Sequence, residues 1–341
     1  MRVIELDGMR GKCQIILGDS IENLRSHCEE RKTTIITDSN VRRFHADKLD
    51  GFEVIEINPG EENKTLETVK KVYKKLLDSE IDRSSLLVGV GGGIVCDVTG
   101  FVASTYLRGI QFGFVPTTLL AQVDASIGGK NGVNLEGYKN LVGVINQPNF
   151  CICDFDVLKT LPLIELRCGF AEVIKQAAIG DSSLFSYLET NNEKALSLHR
   201  TTIEKIVHDS INVKLSIVKK DELEKGERMK LNFGHTIGHA IEKTTKIPHG
   251  EAVAIGMVAA TNLSLQKGLL EKKDAERIEN LIRQYRLPTK TDNKEKLIDA
   301  IKKDKKKFGN KIRMALLQGI GRCKIDEISI EELEGVVNDL C

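Results

Sequence analysis

Three histidines fall within fifteen residues of this chain: His235, His239 and His249. The run Gly234-His-Thr-Ile-Gly-His239 sets two imidazoles four residues apart, one above the other on a helix. His249-Gly250-Glu251 follows after a loop containing Pro248. Upstream, Gly169-Phe-Ala-Glu-Val-Ile-Lys175 places Glu172 and Lys175 three apart on one helix face. The neighbours there are apolar, so a solvated surface pair is the less comfortable reading. Imidazoles and a carboxylate gathered from separate helices suit zinc, with a coordination position open to substrate. Spacing alone picks His235 and His239 as the ligand pair. Arg228, Asn232, His235 and His239 could share one helix face, with Lys214 as a further cation; ordinary surface charge is the alternative for this polar stretch. His27, His45, His199 and His208 receive no role.

The first half offers Gly89-Val-Gly-Gly-Gly93, after the apolar run LLVGV and before a helical pattern, Ile94 to Tyr106. Glycines let the backbone approach a diphosphate, and a helix N-terminus favours negative charge. The sixth position is Ile94, so this is not the GxGxxG spacing, and a plain tight turn stays open. Asp97 lies in the first helical turn. Beyond it stand Thr117 and Thr118, then Asp124-Ala-Ser-Ile-Gly-Gly-Lys130, then Lys139-Asn140. Lysines reached by a glycine turn suit phosphate or carboxylate. A hairpin with exposed lysines is the other reading.

The elements that must position these groups change character along the chain. Thr33 to Thr37, Phe52 to Ile57 and Leu86 to Val90 read as strands. Glu67 to Leu77 repeats its apolar residues at helical spacing. Strand, helix and strand in series imply a parallel sheet with crossover helices. After about Thr160 the pattern turns to long helices: Leu166 to Ala178, Leu184 to Lys220, Leu231 to Lys243, Glu251 to Leu265 and Ala275 to Tyr285. The expected fold is α/β followed by α. A Rossmann-like dinucleotide-binding domain spans residues 1–160, and a mostly α-helical metal- and substrate-binding domain spans 161–341. A cleft between them would be rich in Lys and Arg, fit for an acidic phosphorylated substrate.

Composition narrows the function classes. The 341 residues carry 50 basic and 49 acidic side chains, a balance that gives no reason to expect nucleic acid or a membrane surface as partner. Trp is absent, which disfavours base-stacking surfaces. Residues 1–14 hold no apolar run fit for a signal peptide, so a cytoplasmic location is expected. Eight cysteines form no CxxC pair, and the nearest two, Cys151 and Cys153, are expected on opposite faces of a strand.

Taken together, the segments GVGGGIVCDVTGFVASTYLRG, VPTTLLAQVDASIGGKNGVN, KNLVGVINQP, LKTLP, GFAEVIK, ERMKLNFGHTIGHAIE and HGEAVAIGM resemble the 3-dehydroquinate synthase family, a branch of the sugar phosphate cyclases. They run in the family's order across most of residues 86 to 260; PGEENK and DKKKFGNK resemble it more weakly. The resemblance implies NAD beside one zinc or cobalt ion and replaces the ligand pair read from spacing. The implied ligands are Glu172, His235 and His249, with His239 turned to substrate. The 235–249 loop is shorter than is usual in the family, but HGEA is intact.

Implied NAD contacts are Pro59, Gly60, Glu61, Glu62, Asn63, Lys64, Gly93, Ile94, Val95, Cys96, Asp97, Thr117, Thr118, Lys130, Lys139, Val157, Leu158, Lys159 and Thr160. Implied substrate contacts are Asp124, Lys130, Asn140, Lys175, Lys214, Arg228, Asn232 and His239, joined by Lys305 or Lys306, and by Arg108 from the partner in a homodimer. Lys175, His239, Lys130 and Arg228 are the implied catalytic groups. Cys96 stands where Gly is common, and Asn131 where Thr is common. The implied substrate is 3-deoxy-D-arabino-heptulosonate 7-phosphate, a phosphorylated sugar acid. It would be closed to 3-dehydroquinate by transient oxidation, phosphate elimination, reduction and intramolecular aldol addition, a shikimate-pathway step. Alternatives are another cyclase, such as an inosose or valiolone synthase, a metal-dependent alcohol or glycerol dehydrogenase, or a non-catalytic NAD-binding protein.

Overall fold

The computed structural model describes residues 1–9, 11–291, 297 and 311–338. It divides into two compact units, Met1–Leu161 and Pro162–Cys341. The first begins with an antiparallel pair, β1 (Arg2–Gly8) and β2 (Gly11–Leu17). It continues through β3 (Thr33–Asp38), α1 (Ser39–His45), β4 (Glu53–Ile57), α2 (Leu66–Asp78), β5 (Leu86–Gly91), α3 (Gly93–Thr105) and β6 (Gln111–Pro116). A separate hairpin, β7 (Lys130–Leu135) with β8 (Tyr138–Ile145), precedes β9 (Phe150–Cys153).

Seven strands form one sheet in the order β1-β2-β9-β6-β5-β3-β4, parallel except for β1. Every residue of β5 is buried, as a strand covered on both faces requires. Val69, Val72 and Leu76 form the inward stripe of α2. From β3 the chain moves outward to β4, then returns to the other side of β3 as β5 and moves on to β6. The strand order therefore reverses between β3 and β5, and open α/β sheets bind ligands at the carboxyl ends of the strands flanking such a reversal. The loops there begin at Asp38 and Gly91.

One expectation is corrected. Cys151 and Cys153 share a face of β9, as residues two apart on a strand must, and a hydrogen bond joins their side chains. A hairpin with exposed lysines is present as read: after one wide helical turn at residues 121–125, β7 and β8 carry exposed Lys130 and Lys139 and close through Glu136-Gly137. Both turn residues have positive φ, 50° and 77°, the signature of a type I′ turn.

Where the family commonly has Thr, Asn131 donates to the carbonyls of Gly129 and Asn146 at 2.8 and 3.0 Å. Its Oδ1 occupies the space a Cβ on Gly100 would need, at 1.9 Å. Helical Gly→Ala is ordinarily stabilising by about 1 kcal/mol. Gly100→Ala is expected instead to cost about 1–3 kcal/mol through overpacking. Adding Asn131→Thr should recover part of the loss, read from thermal melts of the single and double variants.

The second unit contains α4 (Leu163–Gly180), α5 (Ser182–Thr190), α6 (Asn192–Leu196), α7 (Arg200–Val218), α8 (His235–Thr245), α9 (His249–Gln266) and α10 (Lys272–Gln284). An antiparallel pair, β10 (Lys311–Gly319) and β11 (Arg322–Ser329), and α11 (Ile330–Asn338) follow. From Cys168 to Ile179 every residue of α4 is buried, so it is the central helix, flanked by α5, α7, α9 and α10. The pattern read as one helix from Leu184 to Lys220 is three. Asp181 caps α5 by accepting from Ser183 and Leu184, and Leu198, at φ 56°, turns the chain before α7.

Candidate active site

A buried carboxylate in the middle of α4, Glu172, faces the first residues of α8 and α9. The Nε2 atoms of His235 and His249 each lie 3.5 Å from Glu172 Oε1. Two ligand atoms about 2.0–2.1 Å from a tetrahedral zinc are about 3.3 Å apart. The observed spacing thus fits one small cation better than a direct hydrogen bond. The second Glu172 oxygen pairs with Lys175, and both side chains are 1% exposed. The three ligand atoms lie within 4.8 Å of one another.

Glycines allow this convergence. Gly234, just before α8, has φ +80°, and a Cβ on it would meet Met257 at 2.6 Å. A Cβ on Gly256 would stand 2.0 Å from the Gly234 carbonyl, and one on Gly250 would stand 2.3 Å from the Cys168 Cα on α4. The start of α8 is therefore held against the second and third turns of α9, and the start of α9 against α4, by backbone contact.

The second nitrogen of each imidazole is also held. His235 Nδ1 lies 3.2 Å from the Phe233 carbonyl, and His249 Nδ1 lies 3.3 Å from Glu242 Oε2. A ring N–H donated to such an acceptor leaves Nε2 as the lone-pair nitrogen. Burial, with Lys175 nearby, pushes the His235 pKa down to about 3, so this ring is neutral at pH 7. Burial acts in the same direction on His249, but the Glu172 and Glu242 carboxylates beside its two ring nitrogens favour the protonated ring, outweigh burial and raise the pKa to about 9.

The pairing of His235 with His239 read from spacing is not what converges on Glu172. His239 is exposed, with its ring 5.3 Å from that of His235. Its ligand atoms group instead with Glu242 and His249. Arg228, Asn232, His235 and His239 do not share a helix face either. Residues 227–232 form a tight 3₁₀ turn, and Gly234 in the left-handed region ends it before α8 begins.

Arg228 is nonetheless 2% exposed, and its Nη1 donates to the Glu222 carbonyl at 2.7 Å. The Asp221 carboxylate accepts the backbone N–H groups of Lys225, Gly226 and Arg228 at 2.8, 2.8 and 3.0 Å. These bonds hold its pKa down, at about 2. The folded value lies below the unfolded one, so this bracing is complete above about pH 4 and is lost as pH falls through about 2. Asp221→Ala is expected to speed hydrogen exchange at those three amides about tenfold at pH 7, measured by NMR. Lys214 is buried on α7, and exposed Asn232 donates to Glu224 Oε1 at 3.2 Å. Lys305 and Lys306 lie outside the described residues.

In the first unit the glycine turn opens α3 at the carboxyl end of β5. The N-cap is Gly92, and no side chain caps the first turn. A Cβ on Gly92 would meet Thr118 at 3.1 Å, and one on Gly93 would meet Ala125 at 3.2 Å. This narrow, uncapped start of a buried helix suits a diphosphate. Thr117 N–H donates to the Gly91 carbonyl at 2.9 Å, and Thr118 Oγ1 accepts from Ala121 at 3.1 Å.

Lys64 is buried, paired with Asp97, and donates to Asn140 Oδ1 at 2.5 Å. Asn63 donates to the Pro59 carbonyl at 2.7 Å, and Lys139 stands 3.9 Å from Glu61. Gly60 has φ 100°, Ile94 is half-buried and Glu62 is exposed. Asp124 is half-buried and Lys130 exposed. The side chains of Val95, Cys96, Val157 and Leu158 are in the interior, so only their backbone can meet a ligand. Lys159 pairs with Asp156 at 2.7 Å, and Thr160 Oγ1 lies 3.1 Å from His45 Nε2. Arg108 is exposed with φ 68°, next to Leu107 at φ 50°.

Three residues at these places were not singled out from the sequence. Asp38 ends β3 across the strand reversal from the glycine turn, and the sheet order locates it. Glu242 follows His239 by three residues on the same helix, a spacing legible in GHAIE. Asn134 gave no sequence signal.

Both halves of the chain match known proteins. Residues 54–168 match the family model for the 3-dehydroquinate synthase N-terminal region, and residues 169–307 match the C-terminal one. The 3-dehydroquinate synthase of Thermoanaerobacter pseudethanolicus is 43% identical over 327 residues, 92% of this chain and 91% of the relative. A solved 2-deoxy-scyllo-inosose synthase complexed with carbaglucose-6-phosphate, NAD+ and Co2+ superposes with a TM-score of 0.87 at 25% identity, covering 100% of both chains. A 2-epi-5-epi-valiolone synthase from Streptomyces hygroscopicus subsp. jinggangensis with NAD+ and Zn2+ bound shares the fold, with a TM-score of 0.87 at 24% identity over 100% of this chain and 99% of that one. With a relative this similar over nine-tenths of its length and both halves matched in order, the chain belongs to the 3-dehydroquinate synthase family.

Proposed function

We propose that this chain converts 3-deoxy-D-arabino-heptulosonate 7-phosphate to 3-dehydroquinate and phosphate. Family membership supports the reaction, and the convergence of Glu172, His235 and His249 beside buried Lys175 carries it on the structure. A divalent ion, zinc or cobalt, held by those three side chains would supply Lewis-acid stabilisation of a ring oxygen. NAD on the glycine turn at the start of α3 would supply a transient hydride acceptor, returned within each cycle.

The chain's own residues contribute charge and position. Lys175, Lys214 and Arg228 are cations held 5% exposed or less, where attraction for a carboxylate or phosphate is stronger than in water. Lys130 and Lys139, exposed on the β7–β8 hairpin, and Asn140 suit phosphate, hydroxyls and cofactor. His239, exposed above the metal trio, is placed to hold or pass a proton at its ring nitrogens. Arg228, Asn232 and His239 favour a carboxylate-bearing substrate over the carboxylate-free sugar phosphate of another cyclase, such as an inosose or valiolone synthase. The proposal includes a homodimer to which Arg108 contributes, and a cytoplasmic location. Among the described residues no helix is long and apolar enough to cross a membrane.

The test is phosphate release from the heptulosonate phosphate, with and without NAD and a chelator, with the product identified by NMR. Release that needs both NAD and metal, and leaves no net NADH, is the expected result. Net NADH accumulation would instead indicate a dehydrogenase, and phosphate release only from a sugar phosphate that lacks the carboxylate a different cyclase.

A further inference from the structure

The β7–β8 ladder breaks at one place. Val133 pairs with Val142 and Leu135 with Tyr138, so Asn134 alone faces Lys139, Asn140 and Leu141. Two extra residues bulge from β8 there, and bulges commonly re-aim side chains beside active sites. Asn140, at the middle of the bulge, has φ 52°, in the left-handed region.

Asn134 makes up for the broken pairing with its side chain. Its Oδ1 accepts the Asn140 backbone N–H at 2.9 Å, in place of the carbonyl that regular pairing would offer. Its Nδ2 donates the other way, to the Glu61 carboxylate at 2.9 Å and the Glu61 carbonyl at 3.3 Å. Its backbone N–H leaves the hairpin altogether and donates to the Lys64 carbonyl at 2.8 Å. Lys64 in turn donates to Asn140 Oδ1 at 2.5 Å, closing a ring of contacts between the 59–64 turn and the hairpin.

We propose that Asn134 is a positioning residue that fixes Asn140, on the substrate side, and Glu61 and Lys64, on the cofactor side, in one arrangement. The inference rests on the proposed roles of those three residues. The two ends of the amide do different work, so they are separable by chemistry. Asp at 134 keeps an acceptor for Asn140 but loses the donor and sets a second carboxylate against Glu61. Ala at 134 loses both ends.

The experiment measures NAD binding by calorimetry and the steady-state constants for the heptulosonate phosphate on the full chain, with thermal melting alongside. Asn134→Asp is expected to weaken NAD about tenfold or more. Its KM for the sugar phosphate at saturating NAD should stay within about twofold. Asn134→Ala should weaken NAD and raise that KM, each about tenfold. A role confined to hairpin stability would lower the melting temperature in both variants without this split. Asp and Ala variants that match the wild type in NAD affinity and KM, or an Asp variant that loses both equally, overturn the proposal. If the Ala variant does not fold, the Asp variant decides alone. Wild-type protein that binds no NAD would instead defeat the functional reading on which the inference rests.

Discussion

Glu172→Gln is expected to remove bound metal and activity together, each by at least about a thousandfold, because an anionic ligand at the centre of the trio becomes a neutral amide. Elemental analysis after dialysis reads the first, and phosphate release the second. The same change has a separate cost. Lys175, 1% exposed and paired with Glu172, loses its carboxylate, and breaking a buried pair from one side costs about 3–5 kcal/mol. Loss of activity alone would therefore not distinguish a missing ligand from a weakened fold. Glu172→Gln combined with Lys175→Met removes both charges and should recover most of the melting temperature while leaving the protein without metal. If the double variant regained zinc, Glu172 would not be a ligand. His249→Ala should reproduce the metal loss with a smaller stability cost, since its ring is 32% exposed.

The second large effect is on pH. In the metal-free protein His249 carries its proton up to about pH 9, whereas His235 at about 3 is already neutral. A metal entering at pH 7 must displace one proton, from His249. Zinc affinity is thus expected to rise about tenfold per pH unit from pH 7 and to level off near pH 9, a gain of about a hundredfold. The sign for the metal-free fold is opposite. The folded pKa lies above the unfolded value of about 6.5, so this stabilisation is complete below that value and disappears as pH rises through about 9. Competition with a zinc-buffering chelator across this range gives the slope. A flat profile would mean that the His249 proton is not the one displaced.

Much of this site was legible as residue types, and less as geometry. Three pieces of sequence, the glycine run after LLVGV, GFAEVIK and the histidine cluster, lie in or at the ends of helices with apolar flanks; α3 and α4 are largely buried, α8 only in part. Spacing misjudged the partner of His235 because a helical repeat reports neighbours on one helix only. The nitrogen that faces the same carboxylate opens the next helix, His249, and the family resemblance rather than periodicity singled it out. The single-face reading of Arg228 through His239 failed on one residue, Gly234, whose left-handed backbone restarts the helix. The β10–β11 pair was missed since the sequence before it carries a helix-like run of lysines, and β10 buries Met314 to Leu317 in succession, so it shows no clean alternation. Asn134 could not be found from sequence, because its role exists only where the hairpin and the 59–64 turn meet.

Two of the three metal-facing groups begin consecutive helices joined by only Lys246, Ile247 and Pro248. If that corner swings open, the His249 imidazole departs and Glu172 is left with His235 alone. Loss of the ion and opening of the corner should then be a single event seen by a protease. Tryptic cutting after exposed Lys246 should slow in proportion to free zinc once zinc exceeds its dissociation constant. The scissile bond would report occupancy without any substrate present.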